Sequence, residues 1–527
     1  MHTCCERTVS AVLACALAMI LCGCGGSSTT STTVTTTTTN ADGSTTTVTT
    51  SGGSTSGGAT PGGSTSGGST SFAVGGSVSG LGSNESVTLL DNGGDAVAVS
   101  SDGAFVFPTR LAGGGAYAVT VQSHTPGIAC SVTGGSGSVG AANVTDIAVA
   151  CATGKTTILY SFAGGMAGSV PLAGLVLDGS GNLYGTTQQG GKEGHGTVFK
   201  LSPNGTETVL HAFGVGDNDG LDPQAPLIRD SAGNLYGTTL HGGAQNEGAV
   251  FKVAADGTET VLYSFGTATA DGQNPAAGLV MDGAGNLYGT TELGGAYGAG
   301  TVFEVGTHGA ETLLHSFLAL GMGTDGQNPQ AALLRDSAGN LYGTTPNGGA
   351  GMTGTVFKVS ANGTTTVLYS FGSTATTDGH TPYSTLVMDG AGNLYGTTAS
   401  GGVNGGARGD GVVFSLSAAS KETVLYSFGG TANDGQDPYA SLLIDSAGNL
   451  FGTTRAGGAN AGGPRHGGTV YKISPGGTET ILYSFGAAGA SDGSSPQATL
   501  VMDGAGNLYG TTADGGAHGD GTVFKID

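Results

Sequence analysis

The segment Gly181-Asn182-Leu183-Tyr184-Gly185-Thr186-Thr187 decides the fold, because it recurs at nearly constant spacing through the C-terminal part of the chain. Consecutive copies begin 52 to 58 residues apart, and only one is altered in its core, where Phe451 replaces tyrosine. The seven copies begin at Gly181, Gly233, Gly285, Gly339, Gly392, Gly448 and Gly506. A repeat of this length, made of short apolar runs and turn residues, indicates a β-propeller or a related array.

One repeat contains four apolar segments, which we interpret as four strands. In the repeat that begins at Pro223, these strands are predicted at 223–230, 235–239, 249–253 and 258–265. Asp-x-x-Gly-Asn between the first two suits a tight hairpin, because Asp can accept hydrogen bonds from the turn amides and Gly tolerates positive φ. Both faces of most strands are apolar or small, as expected of a sheet packed between two neighbours, and helical periodicity is absent.

The order of the strands predicts a closed ring. A fourth-type strand, 156–162, precedes the first repeat, whereas the chain stops after a third-type strand at 522–527. Joining these two segments would complete seven four-stranded blades and remove the open sheet edge that invites aggregation. We therefore predict an all-β chain with a seven-bladed β-propeller at 153–527, whose N-terminal strand closes the last blade.

The repeated motifs resemble a known family. Leu-Tyr-Ser-Phe, Asp-Gly-x-x-Pro, Asp-x-x-Gly-Asn-Leu-Tyr-Gly-Thr-Thr and Gly-Thr-Val-Phe-Lys together look like the GloVer repeat, over residues 156–527. That repeat occurs in tandem in exported bacterial proteins with varied surface anchors. The resemblance implies a propeller-like cell-surface protein, and it transfers no catalytic residue.

The N-terminus reads as a lipoprotein signal peptide, residues 1–24. Arg7 precedes an apolar run of 13 residues, Val9 to Leu21, which is too short to span a bilayer. The run ends in Leu21-Cys22-Gly23-Cys24, which resembles a bacterial lipobox and implies that Cys24 carries a lipid. Because no acidic residue follows Cys24, we expect an envelope lipoprotein held on the outer membrane or cell surface.

Two further segments separate the signal from the repeats. Residues 25–71 are almost entirely Ser, Thr and Gly, which predicts a disordered linker. Residues 72–152 contain short alternating segments divided by Gly-rich turns, which predicts a small antiparallel β-sandwich resembling Ig-like or prealbumin-like modules. Once Cys24 is acylated, Cys130 and Cys151 are the cysteines left in the mature chain, and an oxidising compartment would join them in a disulfide.

The recurrent aspartate of Asp-Gly-x-x-Pro is the candidate binding residue. It lies between the fourth strand of one repeat and the first strand of the next, so six carboxylates could line one channel mouth and bind a cation or sugar hydroxyls. Alternatively, each aspartate caps its own glycine turn. The six are Asp219, Asp271, Asp325, Asp378, Asp434 and Asp492. A second aspartate, in the hairpin turn of all seven repeats, is expected to be structural.

Composition narrows the function. A net charge of −22 repels nucleic acid phosphates, so we expect no nucleic-acid partner. The absence of Trp argues against quinone-dependent propeller dehydrogenases and sialidase Asp boxes, and no P-loop or dinucleotide fingerprint occurs, so we expect no cofactor. The loop histidines His195, His241 and His518 occupy different positions of their repeats, which argues against a shared metal site.

These observations favour a monomeric, non-enzymatic binding module for a glycan, a protein or another envelope component. Two alternatives stay open: a metal-dependent propeller hydrolase or lyase at the channel mouth, and a purely structural surface protein.

Overall fold

The computed structural model describes residues 33–39, 45–51, 70–82, 85–125, 128–153, 156–319, 321–372, 377–404, 409–460, 467–486 and 492–527. Within these residues the regular structure is almost entirely β, with one short 3₁₀ turn at Gly165–Ala167. None of the helical structure described is long and apolar enough to cross a membrane. The chain divides into two units, Met1–Gly68 and Ser69–Asp527.

In the first unit, the strands Thr33–Thr39 and Thr45–Ser51 pair as an antiparallel hairpin. Both strands are rich in Thr, whose branched side chain favours extended backbone. The predicted signal peptide and Cys24 lie outside the described residues. The flexibility of the Ser/Thr/Gly segment stays a prediction.

The second unit begins with two four-stranded sheets that share one apolar core. Val74, Val78 and Val149 enter this core from one sheet, and Val87 and Leu89 enter it from the other. The first sheet contains, in spatial order, Ile128–Thr133, Val144–Thr153, Val74–Ser79 and Gly103–Val106. The second contains Ser136–Ser138, Ala116–His124, Val87–Asp91 and Asp95–Val99. A short pair, Ser71–Phe72 and Leu111–Ala112, lies beside them.

One strand of this region differs from the expectation of a fully antiparallel sandwich. Val74–Ser79 contains a Gly-Gly pair of the kind found in turns, yet it lies in the middle of its sheet and pairs in parallel with Val144–Thr153. A Cβ on Gly75 would collide with the carbonyl oxygen of Phe105, and one on Gly76 with that of Ile147. The two glycines therefore mark a close approach of backbones rather than a turn.

The repeats form seven four-stranded sheets in the described residues, numbered here by their copy of the glycine motif. The first strands are Val176–Leu177, Ile228–Arg229, Val280–Met281, Leu334–Arg335, Val387–Met388, Leu443–Ile444 and Val501–Met502. The second strands are Leu183–Thr187, Leu235–Thr239, Leu287–Thr291, Leu341–Thr345, Leu394–Thr398, Leu450–Thr454 and Leu508–Thr512. The third strands are Thr197–Leu201, Ala249–Val253, Thr301–Val305, Thr355–Val359, Val412–Leu416, Thr469–Ile473 and Thr522–Ile526. The fourth strands are Glu207–Ala212, Glu259–Ser264, Glu311–Ser316, Thr365–Ser370, Glu422–Ser427, Glu479–Ser484 and, in sheet 7, Thr156–Ser161.

Two details of the repeat were not predicted. The first strand has two residues instead of the eight expected, because its N-terminal half contains proline, which cannot donate to a ladder, and lines a cavity instead. A second, two-stranded ladder joins the Asp-Gly loop to the end of the second strand, as in Gly220–Leu221 with His241–Gly242. The others are Gly272–Gln273 with Leu293–Gly294, Gly326–Gln327 with Asn347–Gly348, Gly379–His380 with Ser400–Gly401, Gly435–Gln436 with Ala456–Gly457, and Gly493–Ser494 with Asp514–Gly515.

The two ends of the repeat region meet. Thr156–Ser161 pairs antiparallel with Thr522–Ile526 and so supplies the fourth strand of sheet 7. The first threonine of each Gly-Thr-Thr donates a hydrogen bond to a carbonyl at the start of the following repeat, as Thr186 does to Ala225 at 3.3 Å. The last repeat makes the same bond to the first, from Thr511 to Ala173 at 3.0 Å. The architecture is therefore β-propeller-like.

Aromatic rings fill the space between neighbouring sheets. A third-strand ring, such as Phe303, lies over the second-strand glycine of its own sheet, here Gly289. Its edge meets the ring of Phe265, which follows the fourth strand of the preceding sheet, at 5.0 Å between centroids. The same edge-to-face pair occurs between sheets 7 and 1, where Phe162 meets Phe199 at 5.1 Å. These rings are fully buried, so they carry much of the apolar stabilisation.

Replacing Gly289 by alanine should destabilise the protein. A Cβ at this position would lie 2.6 Å from Phe303 Cζ and 3.0 Å from Leu279 Cδ2, so the ring must move, at a cost of about 1 to 3 kcal/mol. Gly283→Ala is the matched control, because no heavy atom lies within 4 Å of its Cβ position. Urea unfolding of both variants tests this, and an unchanged midpoint for Gly289→Ala would contradict it.

Candidate functional site

The hairpin aspartates hold their own turns, as predicted from the turn chemistry. Asp178 Oδ1 accepts hydrogen bonds from the amides of Ser180 and Asn182, both at 2.9 Å. Its Oδ2 accepts from Asn182 Nδ2 at 2.9 Å and from the Tyr184 hydroxyl at 3.1 Å. Burial acts to raise the pKa of Asp178, but these hydrogen bonds outweigh it and lower the pKa to about 2. The Asn and Tyr of the glycine motif are thus explained by the same carboxylate.

The six aspartates of Asp-Gly-x-x-Pro also accept hydrogen bonds from nearby groups. Asp271 Oδ2 accepts from the Tyr263 hydroxyl at 2.9 Å and from the Thr267 amide at 3.0 Å, and its Oδ1 accepts from the Gly272 amide. The other five accept hydrogen bonds in related ways from the preceding fourth strand or from the loop around them. These five are Asp219, Asp325, Asp378, Asp434 and Asp492. Each carboxylate therefore secures the connection between two sheets, while ligand binding by these residues stays a prediction.

A glutamate from the next sheet faces most of these aspartates, which the sequence did not reveal. We use the term junction for three positions: the fifth residue of a fourth strand, the aspartate after it, and the first residue of the next sheet's fourth strand. The junctions comprise Tyr160 and Glu207; His211, Asp219 and Glu259; Tyr263, Asp271 and Glu311; His315, Asp325 and Thr365; Tyr369, Asp378 and Glu422; Tyr426, Asp434 and Glu479; and Tyr483, Asp492 and Thr156. The first has no aspartate, since Ala167 stands in that loop.

The junction glutamates are kept from ionising at their usual pH. Burial and the negative charge of the facing aspartate raise the pKa of Glu311 to about 7, and the same two causes act on Glu422. In Glu259, burial and Asp219 raise the pKa to about 7 although His211 opposes them. One oxygen of each glutamate is buried without a hydrogen-bond partner. Two carboxylates thus share each of these junctions, and a proton can relieve their repulsion.

Histidine replaces the junction tyrosine twice, with different results. Between sheets 3 and 4, His315 Nε2 lies 2.9 Å from Asp325 Oδ2, which is a direct hydrogen bond, and Thr365 stands where a glutamate usually lies. Between sheets 1 and 2, His211 Nε2 and Asp219 Oδ1 are 3.5 Å apart and neither has a hydrogen-bond partner.

Two loop histidines, His195 and His241, face the same carboxylate although they occupy different positions of their repeats. His241 Nδ1 lies 3.1 Å from Asp222 Oδ2, and His195 Nδ1 lies 3.6 Å from the other oxygen of the same carboxylate. All three side chains are partly exposed. The sequence could not show this contact, because the loops of successive repeats converge only when the sheets pack.

A cavity of about 130 Å³ is lined by residues from all seven repeats, which places it on the axis of the repeat region. The described lining includes no carboxylate, imidazole or thiol, and none of the six aspartates is among it. Most of the lining is Ala, Gly and Gln. Two tyrosines interrupt this pattern: Tyr383 and Tyr439 stack at 5.0 Å with an interplanar angle of 21°, and Arg455 lies 5.0 Å from the Tyr439 ring centre.

Cys130 and Cys151 form a disulfide between two adjacent strands of the N-terminal sheets. The cavity lining includes neither cysteine, so the disulfide contributes to the stability of the N-terminal sheets.

The junction glutamates should make the protein less stable as pH rises. The pKa of Glu311 increases from 4.5 to about 7 on folding, so its contribution is complete below pH 4.5 and is lost as pH rises through 7. We expect Glu311→Gln to raise the urea midpoint relative to wild type at pH 8.5 and to change it little at pH 4.5. A difference between the two proteins that stays constant with pH would refute this account.

Comparisons with known proteins agree with the repeat. The model of the Gloeobacter/Verrucomicrobia repeat matches residues 116–334, 318–463 and 403–527. A search of curated proteins finds no match. Among solved structures, a gluconolactonase-like protein is 13% identical with a TM-score of 0.31, covering 53% of this chain and 80% of its own. A luciferin-regenerating enzyme is 14% identical with a TM-score of 0.34, covering 57% and 89%, and a TolB-like protein from Agrobacterium tumefaciens is 11% identical with a TM-score of 0.33, covering 61% and 94%. Similarity this low carries no functional argument, whereas the family match spans most of the sequence: the chain belongs to the Gloeobacter/Verrucomicrobia repeat family.

Proposed function

We propose that this protein is an exported, lipid-anchored component of the bacterial cell envelope, and that its seven sheets form a closed seven-bladed β-propeller that binds a glycan without converting it. The pairing of Thr156–Ser161 with Thr522–Ile526 and the hydrogen bond from Thr511 to Ala173 support closure. The N-terminal sheets would serve as an Ig-like or prealbumin-like spacer between the anchor and the propeller.

The tyrosine pair at the axial cavity carries the binding proposal. Tyr383 and Tyr439 occupy the position that is Gln224, Gln330 and Gln497 in three other repeats, so the aromatic rings are local departures from the repeat. A stacked pair of rings offers an outer ring face and ring edges as an apolar surface for the C–H face of a sugar. Glutamine amides from three other repeats also line the cavity, and they can donate to and accept from hydroxyl groups.

The size and chemistry of the cavity favour binding over catalysis. About 130 Å³ is well below the roughly 300 to 1,000 Å³ of a pocket that encloses a small-molecule ligand, so a ligand would rest on the opening. A hydrolase or lyase at the channel would need a general base or metal ligands directed into it. The six aspartates are instead committed to the connections between sheets.

The contact between the N-terminal sheets and the repeats supports a spacer of fixed orientation. Lys472 Nζ lies 3.8 Å from Glu85 Oε1, and the two side chains are only 4% and 16% exposed. The His124 amide donates to the Ala505 carbonyl at 3.2 Å. A spacer held in this way would present the same propeller face away from its tether.

Binding to a glycan array by the full-length protein should depend on the tyrosine pair. Each ring contact contributes about 0.5 to 1.5 kcal/mol, so replacing both tyrosines should weaken binding roughly 10-fold or more. The test variant is Tyr383→Gln with Tyr439→Gln, which installs the residue that other repeats carry and therefore preserves the fold. Tyr297→Gln, at an exposed tyrosine outside the cavity lining, is the control. Equal glycan binding by wild type and the double variant would exclude the tyrosine pair as the site.

Lipid attachment at Cys24 is tested separately. Cells that express the protein and are labelled with radioactive palmitate should yield labelled wild type and unlabelled Cys24→Ala. The variant should also leave the membrane fraction, since it lacks the acyl chains that anchor the chain. Label retained by Cys24→Ala would show that another residue carries the lipid and that Cys24 is not the attachment site.

A further inference from the structure

We propose that His211, Asp219 and Glu259 form a binding site for a divalent transition-metal ion of the zinc class, which joins sheets 1 and 2. One ligand atom from each residue lies within 4.8 Å of the other two. His211 and Asp219 belong to the end of the first repeat, whereas Glu259 begins the fourth strand of the second. A bound ion would therefore cross-link two consecutive repeats.

The three residues are partly buried, and one polar atom of each is fully buried without a partner. The side chains of His211 and Asp219 are 16% and 8% exposed. His211 Nε2, Asp219 Oδ1 and Glu259 Oε1 are all buried without a hydrogen bond. Unpaired buried polar atoms are costly and uncommon in native structures, and one on each of three residues whose ligand atoms lie this close together indicates a missing partner.

The spacing between the first two ligands suits a metal better than a direct hydrogen bond. His211 Nε2 and Asp219 Oδ1 are 3.5 Å apart. Metal–ligand bonds of about 2.0 to 2.2 Å at a tetrahedral angle place two ligand atoms roughly 3.4 Å from each other. The equivalent pair between sheets 3 and 4, His315 and Asp325, is 2.9 Å apart, as in an ordinary hydrogen bond.

The ligand types select the metal. One imidazole nitrogen with two carboxylate oxygens suits Zn²⁺ and neighbouring transition metals, whereas Ca²⁺ and Mg²⁺ prefer oxygen ligands throughout. Two carboxylates also neutralise the charge of a divalent ion. A water molecule would complete four-coordination, because the junction supplies three protein ligands.

The other junctions show why this one differs. Tyrosine takes the place of histidine in five of the seven. In the four of these that contain an aspartate, the tyrosine hydroxyl donates to it, as Tyr263 does to Asp271. The second histidine, His315, faces Thr365 instead of a glutamate. Of the junctions in the described residues, the one between sheets 1 and 2 is therefore the one that combines all three ligand types.

The experiment measures Zn²⁺ binding by isothermal titration calorimetry on full-length protein that has been stripped with chelator, alongside thermal unfolding with and without Zn²⁺. Wild type should bind one tight equivalent and show a Tm that rises with the Zn²⁺ concentration. His211→Tyr and Glu259→Thr should each weaken that binding by more than about 100-fold, since losing a direct ligand exceeds the loss of an outer-shell partner. Both substitutions install residues that other junctions carry, so the fold should be retained.

Three control variants separate this site from alternatives. His315→Tyr and Glu311→Thr make the same replacements in other junctions and should leave Zn²⁺ binding unchanged. His241→Ala disrupts the exposed cluster around Asp222 and should also leave it unchanged. The proposal is overturned if wild type binds no Zn²⁺, or if binding is lost with His241→Ala and survives His211→Tyr.

Discussion

The contact between a glycine and an aromatic ring holds the repeat together. In each second strand the absence of a side chain at one position lets the third-strand ring lie against the backbone, as Phe303 lies over Gly289. In this position the ring makes an edge-to-face contact with the phenylalanine of the preceding sheet. The one variation tests the rule, because Tyr471 replaces phenylalanine over Gly452 and its hydroxyl is buried without a partner. The repeat thus tolerates an added hydroxyl there but keeps the glycine.

Residues that act within one repeat could be predicted from the sequence, whereas residues that act between repeats could not. Asn182 and Tyr184 lie within six positions of the hairpin aspartate Asp178, so turn chemistry was enough to assign a structural role to the aspartate. The strand Thr156–Ser161, which precedes the first repeat, could also be assigned to the last sheet, because a count of the strands leaves this strand without a sheet of its own. In contrast, Asp219 and Glu259 are 40 positions apart and meet only when two sheets pack.

Glycine was the main source of error in the predicted strands. The pair in Val74–Ser79 reads as a turn but lies in a sheet, because a close backbone approach also requires glycine. The first strands were predicted too long for a different reason. Proline and small residues, such as those before Ile228, look strand-like in the sequence but line the axial cavity. The threonine pair that ends the second strand is buried, and Thr186 donates a hydrogen bond to the next repeat, a contact that lies between repeats and that the sequence of one repeat does not show.

Repetition gives the carboxylates of this chain two opposing dependences on pH. Six of the hairpin aspartates are stabilised in their charged form, as in Asp178, whose pKa falls to about 2, so their contribution decreases as pH falls through that range. The junction glutamates are stabilised in their neutral form, so their contribution decreases as pH rises towards 7. Each effect recurs around the repeats, so both contributions are complete only between the ordinary pKa values of the two groups, 3.8 for aspartate and 4.5 for glutamate. Replacing tyrosine by histidine at one junction changes this balance locally, because a metal ion could then neutralise both carboxylates at a pH where a proton no longer does.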